Sequence, residues 1–394
     1  MKPSTKKILY LSFFTSKKIY DNYVLDDENN YFQTFRFAQN IMGVLKKTNL
    51  RIHTYSFLPI SVYPFNRKFL VKRVNEFIGA DKVVYLGFLN LSIIRLFSRF
   101  FRLYFQSIID LRLLKKVSLV FVHGIHLPYL LYVCVNSYIF NFKSVVFLTD
   151  PAGMITDYDS SLVSALKKTE KYIITFLLKR FTTYVVLSES LIKYYNLNPK
   201  ECLTLPGFYN IDSSISASQY IVNSKFIIVY SGSISVDYGL PFLNELGLLL
   251  KNDNCIIKVM GKFSEEHLKN FPEVVFTGFL IDNEYDRIMN EAHLFINPRD
   301  PSLDFSNLSF PSKIFEYVRY LTPIISTDLE SFTPQLRDHI TICQTMNPLD
   351  FYKGIISIRK NYEYYSEKST ELSNIFHQEY SLNKISEKIL KKLI

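Results

Sequence analysis

The chain has 394 residues, enough for two domains of ordinary size, and its 48% hydrophobic content excludes a generally disordered protein. The formal net charge of +10 suits an anionic partner such as a nucleotide diphosphate, a lipid phosphate or an acidic membrane surface. Nucleic acid would match the same charge, but the sequence has no nucleic-acid recognition motif, so we expect no nucleic-acid partner.

The N-terminal apolar run, 8–14, follows two lysines as the core of a signal peptide would, but it is short and has no small-residue cleavage site. We interpret it as the first buried strand. The four cysteines are far apart and show no metal-ligand spacing, so the sequence indicates neither a zinc site nor a disulfide framework. A reducing cytoplasm is the expected location.

Short runs rich in valine and isoleucine alternate with longer helical patterns, which predicts parallel sheets covered by helices on both faces. The predicted strands are 7–13, 51–57, 82–86, 118–123, 144–149, 183–188, 226–231, 255–261, 274–277, 294–297, 323–327 and 340–343. Two successive sets of strands predict two Rossmann-like domains. The polar segment 206–224 contains proline and glycine without a clear period, and we interpret it as the linker between them.

Residues 91–116 form a basic, aromatic-rich amphipathic pattern in which Arg95, Arg99 and Arg102 share one face at helical spacing. Such a helix can lie on an anionic membrane surface. It also precedes a predicted strand, where a packed surface helix is expected in any case. Both interpretations remain open from the sequence.

The segment 295–327 reads as a strand, a polar loop, a helix that begins near Pro311, and a second strand. A helix start beside Ser312 and Lys313 would present backbone N–H groups and a cation to an anion. Glu316, one turn later, could bind vicinal hydroxyls such as those of a ribose. An anion site and a diol site in one loop–helix unit indicate a nucleotide.

This segment resembles the donor site of the retaining family 4 glycosyltransferases, and most of all their bacterial polysaccharide-assembly branch. The residues that carry the resemblance are Asn297, Pro298, Arg299, Asp304, Phe310, Pro311, Ser312, Lys313, Glu316, Tyr317, Pro323, Ser326 and Thr327. The resemblance implies an α/β protein of the GT-B fold, with two Rossmann-like domains whose parallel sheets face a central cleft. Residues 1–205 would bind the acceptor, 225–361 would bind the nucleotide-sugar donor, and helices in 362–394 would cross back to the N-terminal domain.

Further donor residues follow from the same resemblance. Gly232 and Ser233 resemble the strand end and turn that meet the donor phosphates, and Lys262 follows a strand that ends near the nucleotide. The segment Gly278, Phe279 and Leu280 resembles the one whose backbone borders the base.

Two departures stand out. Many family members have a glutamate where this chain has Leu308, and the acidic residue of this branch is Asp304, which either contacts the donor sugar or is a solvated loop carboxylate. The turn after Gly232 has no lysine, so Lys313, Arg299 or Lys262 would balance the diphosphate, unless Arg299 serves a structural ion pair.

On the acceptor side, His126 and Asp150 are candidate catalytic residues, together with Lys313 on the donor side. The resemblance implies a histidine at the position of His126, and Asp150 is a candidate because it follows a predicted strand. His126 would lie near the donor sugar, or it is a capping or core histidine. Asp150 could orient or deprotonate an acceptor hydroxyl, or it caps the turn that follows. A histidine pair, His123 and His126, lacks a third ligand, so no metal site is expected.

The implied reaction is transfer of a sugar, with retention, from a nucleotide-diphosphate sugar, first of all a UDP-sugar, to a saccharide or lipid-linked saccharide acceptor. The products would belong to a cell-surface polysaccharide such as capsule, exopolysaccharide or O-antigen. No cofactor would be needed beyond the donor, and the enzyme would be cytoplasmic, with or without peripheral contact to the inner face of the plasma membrane. The alternatives are a catalytically weak scaffolding subunit, which Leu308 keeps open, and another nucleotide-sugar enzyme such as an epimerase or hydrolase.

Overall fold

The computed structural model describes residues 7–25, 27, 31–48, 50–154, 159–209, 225–232, 239–280 and 282–393. The chain divides into two compact units, the first made of Met1–Leu205 with Leu382–Ile394 and the second of Pro206–Ser381. The predicted linker 206–224 lies outside the described residues after Tyr209. The predicted C-terminal segment 362–394 is shared between the units, because its first helix belongs to the second unit and its last helix to the first.

The first unit is an α/β unit with one large sheet. Its strands are β1 (Lys7–Ser12), β2 (Arg51–Ser56), β3 (Leu70–Val71), β4 (Val74–Ile78), β5 (Asp81–Tyr85), β6 (Phe88–Leu89), β7 (Val117–His123), β8 (Lys143–Leu148), β9 (Thr183–Val186) and β10 (Cys202–Thr204). Its helices before the second unit are α1 (Lys17–Tyr23), α2 (Phe32–Lys46), α3 (Ser92–Ile109), α4 (Leu111–Leu114), α5 (Leu127–Ser137), α6 (Ser161–Leu178) and α7 (Glu189–Tyr194).

The sheet order of the first unit is β10-β9-β8-β7-β1-β2-β5-β4, and its strands are parallel except for β4. The expectation of purely parallel strands is therefore wrong at this edge. Gly79, with φ of 64°, and Ala80 reverse the chain between the paired residues Ile78 and Asp81, so β4 and β5 form a hairpin. A second antiparallel pair, β3 with β6, was also missed.

The second unit contains a fully parallel sheet of six strands, ordered β13-β12-β11-β14-β15-β16. Its strands are β11 (Phe226–Ser231), β12 (Cys255–Met260), β13 (Val275–Gly278), β14 (Leu294–Asn297), β15 (Ile324–Thr327) and β16 (Thr341–Cys343). The remaining helices are α8 (Leu240–Leu249), α9 (Glu265–Asn270), α10 (Asp282–Asn290), α11 (Asp304–Leu308), α12 (Lys313–Arg319), α13 (Pro334–His339), α14 (Pro348–Lys360), α15 (Tyr362–Tyr380) and α16 (Leu382–Leu393).

The strand order places a topological switch point in each unit. In the second unit the chain runs outward from β11 through β12 to β13, and then returns to the other side of β11 with β14. In the first unit the same reversal occurs between β1 and β7. Ligands of open α/β sheets bind outside the carboxyl ends of the strands at such points. We therefore expect ligand-binding residues after β11 and β14 in the second unit, and after β1 and β7 in the first.

The core of the second unit lies where α8 and α14 pack together on the sheet. Phe242 of α8 meets Phe351 of α14 edge to face, with ring centroids 4.8 Å apart. Apolar strand residues such as Ile228 and Ile296 complete this core. Their continuous burial explains why these strands read as unbroken apolar runs in the sequence.

The last helix, α16, packs against α2 in the first unit. Its buried residues Ile385, Ile389 and Leu393 recur at helical spacing, and Gly43 of α2 leaves room for the side chain of Leu382. Lys143 at the start of β8 donates a hydrogen bond to the carbonyl of Leu393. Among the described helices none is long and apolar enough to span a bilayer.

Two glycines within helices provide a matched test of the packing. At Gly247 of α8, an added Cβ would lie 2.6 Å from the carbonyl oxygen of Glu273, a backbone atom that cannot move aside. At Gly354 of α14, it would lie 2.8 Å from Cδ1 of Ile325, the mobile end of a side chain. Alanine favours a helix over glycine by about 1 kcal/mol, which acts on both variants alike. We expect Gly247→Ala to lower the thermal unfolding midpoint and Gly354→Ala to leave it equal or higher, measured by scanning calorimetry. Equal midpoints in the two variants would contradict the close approach at Gly247.

Candidate functional site

A connected polar group lies at the carboxyl end of β11, beside the switch point of the second unit. The Glu316 carboxylate accepts a hydrogen bond from the Lys313 ammonium at 2.7 Å and from the Tyr285 hydroxyl at 2.8 Å. The Tyr285 hydroxyl in turn lies 3.2 Å from the hydroxyl of Ser231, the last residue of β11. The side chains of Lys313 and Glu316 are each 22% exposed, so this ion pair is largely shielded but remains open to a ligand.

Helix α12 begins two residues later than the sequence indicated, and part of its first turn is already bonded. The N–H groups of Ile314 and Phe315 donate to the carbonyls of Pro311 and Ser312 at 3.0 and 3.2 Å. In the described part of the chain, the N–H groups of Ser312 and Lys313 have no acceptor, so two donors remain for an anion, beside the exposed side chain of Ser312. The helix has seven residues, and its dipole is correspondingly small.

Tyr317 holds α12 against the sheet. Its fully buried hydroxyl accepts a hydrogen bond from the Ser231 N–H at 2.9 Å and donates to the Ser231 carbonyl at 3.3 Å. Its ring stacks on Phe295 of β14 with centroids 4.5 Å apart. Burial raises the pKa of Tyr317 well above its usual range, so the hydroxyl stays protonated. The tyrosine of the sequence motif is therefore an anchor of the helix that carries Lys313 and Glu316.

The polar residues at the ends of β14 and β15 mainly bond to one another. The Asn297 amide donates to the Ser326 hydroxyl at 2.8 Å, and both side chains are buried. The Thr327 hydroxyl donates to the carbonyl of Arg299, and the Arg299 guanidinium donates to the Ser309 hydroxyl at 3.1 Å. These motif residues fasten the two strand ends and the following loop together. Arg299 is partly exposed, and its other contacts leave a role in charge balance open.

Glycines shape the backbone around this group. Gly239, just before α8, has φ of 86°, and an added Cβ would lie 2.8 Å from the carbonyl oxygen of Pro298 after β14. The backbones on the two sides of the switch point thus approach as closely as glycine allows. Gly232, directly after β11, donates its N–H to Met260 at 3.1 Å. Gly278, with φ of 87°, ends β13.

Most of the other residues that the sequence predicts for donor binding lie at the surface. Lys262 and Phe279 are exposed in the loops after β12 and β13, and Leu280 is partly buried. Asp304 is exposed at the first residue of α11. Ser233 lies outside the described residues. The structure thus brings Lys313 and Glu316 close to Ser231, beside Gly232, through Tyr285. Tyr285 could not be found from the sequence, because its spacing with Ile288 and Met289 is that of an ordinary buried helix face.

In the first unit, His126 is the residue that precedes α5, close to the switch point. Its ring lies 5.1 Å from the rings of Phe13 and Tyr129, and its Nε2 atom is buried without a hydrogen-bond partner among the described residues. Burial, with Arg99 and Arg95 nearby, holds the pKa of His126 well below its usual range, so the ring is neutral at pH 7. Burial also lowers the pKa of His123 to about 4. Within the described ranges, no three histidine, cysteine or acidic side chains are grouped to hold a metal ion.

Asp150 lies in the loop after β8, two residues beyond the strand end. Its exposed carboxylate accepts a hydrogen bond from the Thr149 hydroxyl at 2.7 Å. The Tyr195 hydroxyl accepts from the Ala152 N–H and donates to the Asp150 carbonyl at 3.0 Å, so the loop backbone is fixed while the carboxylate faces solvent. Among the described residues, the Asp150 carboxylate accepts no hydrogen bond from the turn that follows, so the structure gives no sign that it caps this turn.

The sequence of the second unit has a recognisable relative. Residues 225–361 match the family model described as glycosyl transferases group 1. The Lys313–Glu316 pair lies within the matched residues. The family match supports the prediction that the protein is a glycosyltransferase. A comparison of the whole sequence with curated proteins finds no significant match.

Solved structures share the fold over nearly the whole chain. Sucrose-phosphate synthase from Thermosynechococcus elongatus is 11% identical, with a TM-score of 0.65 and 98% of each chain covered. A glycosyltransferase from Rickettsia africae is 12% identical, with a TM-score of 0.65 and coverage of 98% of this chain and 97% of that one. HepE from Anabaena, solved with UDP and glucose, is 11% identical, with a TM-score of 0.62 and coverage of 98% and 99%. The expected GT-B fold, an α/β protein with two Rossmann-like domains, is confirmed.

Two buried histidines of the first unit make its stability depend on pH. The pKa of His123 is about 4 in the folded chain against 6.5 in the unfolded chain, and burial also lowers the pKa of His53 to about 4. Between these two pH values the unfolded chain binds more protons than the folded chain. The free energy of unfolding therefore keeps the full contribution of these histidines above pH 6.5 and decreases as the pH is lowered towards 4. One such histidine contributes about 2 kcal/mol of the loss at pH 5.

We expect His123→Leu to show a smaller fall of the unfolding midpoint between pH 7.5 and pH 5 than the wild type, in buffers of equal ionic strength. His377→Gln serves as the control, because His377 is exposed and should leave the pH dependence unchanged. A His123→Leu profile parallel to the wild-type profile would show that His123 is protonated equally in both states.

Proposed function

We propose that the protein is a retaining glycosyltransferase that moves a sugar from a nucleotide-diphosphate sugar, first of all a UDP-sugar, to a saccharide or lipid-linked saccharide acceptor in cell-surface polysaccharide synthesis. The observation that carries the proposal is the Lys313–Glu316 pair, held beside the end of β11 at a topological switch point. The group 1 match over the same residues supports it, as does the fold shared with HepE, which was solved with UDP and glucose. The polysaccharide context rests on the resemblance of the donor segment.

The paired side chains can recognise the two halves of a nucleotide diphosphate. Lys313 and Glu316 bond to each other, and a ligand would replace that contact with two others. The ammonium would take diphosphate oxygens, joined by the N–H groups of Ser312 and Lys313, and the carboxylate would accept from ribose hydroxyls. Tyr285 would keep the carboxylate in position during the exchange, because its hydroxyl donates to the same oxygen.

Catalysis would then consist mainly of charge stabilisation. As the glycosidic bond breaks, negative charge grows on the leaving diphosphate, and a positioned Lys313 lowers the energy of that state. The acceptor hydroxyl would attack from the same face, with its proton passing to the departing phosphate. In the first unit, Asp150 offers an exposed carboxylate to orient the acceptor, and neutral His126 offers a hydrogen bond without a charge. We propose that the donor is the only small molecule needed besides the acceptor.

The donor site is tested by substitution. Lys313→Ala should lower turnover of the donor by ~10²- to 10³-fold, the usual effect of removing one preorganised group that stabilises charge. The control is Lys360→Ala, an exposed lysine of α14. Turnover is measured as release of nucleoside diphosphate from a panel of nucleotide sugars.

Binding is followed separately by thermal stabilisation with UDP, GDP, ADP and CDP. UDP should stabilise the wild type selectively, and Glu316→Ala should lose most of that shift. No stabilisation of the wild type by any nucleotide would remove the basis of the donor assignment and favour a scaffolding role. Full turnover in Lys313→Ala would overturn the role of that lysine.

We also propose peripheral membrane contact through α3, on grounds that differ from those of the sequence. Arg95 and Arg99 face inward, where they donate to the carbonyls of Ile60 and Leu58, so these two residues belong to the packed face of the helix. The outer face of α3 is instead apolar. Its members are each at least half exposed: Ile93, Ile94, Phe97, Phe101, Phe105, Ile108 and Ile109.

This apolar face has basic residues around it. Arg102 is exposed on α3 itself, and Lys72 and Arg73 line a cavity of about 280 Å³ between α3 and β3 together with Phe105 and Ile109. Large exposed apolar patches with a basic rim are typical of proteins that rest on anionic bilayers. A lipid-linked acceptor would lie at the same surface.

Replacing Phe101 and Phe105 by aspartate should reduce binding to vesicles of anionic lipid by at least ~10-fold, because two inserted rings are lost and two repelled charges are gained. The measurement is co-sedimentation of the full chain with vesicles that contain one third phosphatidylglycerol. Leu268→Asp is the matched control, because Leu268 is half exposed on α9 of the second unit. Equal sedimentation of the double variant and the control would show that α3 is not the contact.

A further inference from the structure

A buried arginine lies at the switch point of the first unit. Arg99 of α3 is only 5% exposed, and its guanidinium lies over the rings of Phe88, Phe57 and Phe13 at 4.2, 5.3 and 5.8 Å. Phe13 follows β1 and Phe57 follows β2, so these rings mark the carboxyl ends of the two strands. The guanidinium thus lies where an open α/β sheet binds its ligands.

Arg99 has little that compensates its buried charge. One terminal nitrogen donates to the Leu58 carbonyl at 3.0 Å. Its Nε atom is buried without a hydrogen-bond partner, and no carboxylate pairs with it, among the residues that the structure describes. Removing a cation from water is strongly unfavourable unless an anion or hydrogen bonds replace the solvent, and aromatic faces compensate for only part of that loss.

A second arginine increases the positive charge. Arg95 lies one helical turn earlier, and it donates to the Ile60 carbonyl at 3.1 Å. Burial, and then the repulsion from Arg95, lower the pKa of Arg99 to about 9. The acid that acts on Arg95 is Asp27, whose carboxylate accepts from the Ser61 N–H and the Asn66 amide, at 2.9 and 2.7 Å. The two arginines therefore concentrate positive charge at one place in the first unit.

A neutral histidine adjoins the two arginines. The His126 ring lies 5.1 Å from Phe13 and 6.2 Å from Phe57, two of the rings that also contact Arg99. Its buried Nε2 has no partner among the described residues. Two buried nitrogens in neighbouring side chains, one on Arg99 and one on His126, thus have unused hydrogen-bonding capacity in the same aromatic surroundings.

We propose that Arg95, Arg99 and His126 form a subsite for an oxyanion, a phosphate or a carboxylate, on the ligand of the first unit. The fork of a guanidinium matches either group with two parallel hydrogen bonds, and the neutral ring can supply a third. The existence of the anion site rests on these contacts alone. Its assignment to the acceptor rests on the proposed function, because there the first unit binds the acceptor.

Two kinds of acceptor present this chemistry. A lipid carrier presents a diphosphate, and an acidic sugar presents a carboxylate. If Arg99 instead serves packing alone, through its carbonyl bond and its aromatic contacts, the site has no affinity for either anion and the two arginines act only on stability.

The test measures binding of pyrophosphate and of glucuronate to the full chain by calorimetric titration. All variants carry Lys313→Ala, so that the donor-side cation does not contribute to the signal. We expect Arg95→Gln and Arg99→Gln to weaken binding of at least one anion by ~10-fold or more. Arg51→Gln is the control, because Arg51 is exposed at the first residue of β2 and has no part in either proposed site, and it should change the affinity less than ~2-fold. The anion that binds more tightly identifies the carrier or the sugar as its source.

The proposal is overturned if the Lys313→Ala protein binds neither anion, or if Arg95→Gln and Arg99→Gln bind both anions as tightly as Arg51→Gln does. Arg99→Gln could fail to fold because it alters the core. Circular dichroism detects this, and the partly exposed Arg95 then decides the outcome alone. UDP stabilisation of Arg95→Gln, with Lys313 intact, separates the two proposals. We expect this stabilisation to equal that of the wild type. Weaker anion binding with normal UDP stabilisation would therefore assign the effect to this subsite. A wild type that UDP does not stabilise would count against the proposed function instead.

Discussion

The position of the Lys313–Glu316 pair depends on one buried hydroxyl. Tyr317 accepts from the N–H and donates to the carbonyl of Ser231, and its ring stacks on Phe295 of the neighbouring strand. A single side chain thereby links α12 to β11 and β14, the two strands that border the switch point. Lys313 and Glu316 lie on the same short helix, so their position at the end of β11 is set by a hydrogen bond in the core rather than by a surface loop. Functional groups placed in this way keep their geometry, because the packing that holds them is costly to disturb.

Much of this arrangement could be predicted from the sequence, for a physical reason. The strands of the second unit are buried on both faces, so each appears as an unbroken apolar run, and the predicted bounds differ from the observed ones by a single residue at most. The hairpin strand β4 was missed because its residues alternate between partial and full exposure and carry no such run. Helical spacing correctly grouped Arg95 with Arg99, but spacing cannot say which face of a helix is inside. The outer face of α3 is apolar, and helical spacing alone left a membrane-facing and a packed helix equally open.

The two switch points contrast in their chemistry. The one in the second unit holds an ion pair with a tyrosine that donates to it, a group whose charges are balanced and partly open to solvent. The one in the first unit is aromatic and cationic, with histidines whose pKa values are depressed. The sequence motif predicts the switch point of the second unit because its residues lie close together along the chain. The switch point of the first unit is assembled from segments after three different strands and from α3, so no local sequence pattern contains it.

The division of the chain between the units has a consequence for its synthesis. The first unit takes α16 from beyond Ser381, after the whole of the second unit. Until that helix has emerged from the ribosome, the surface of α2 that packs against α16 has no cover. The first unit therefore lacks its last helix while the 176 residues from Pro206 to Ser381 are synthesised. The second unit, contiguous in the chain, can finish folding before the first, which reverses the usual order in which domains mature during translation.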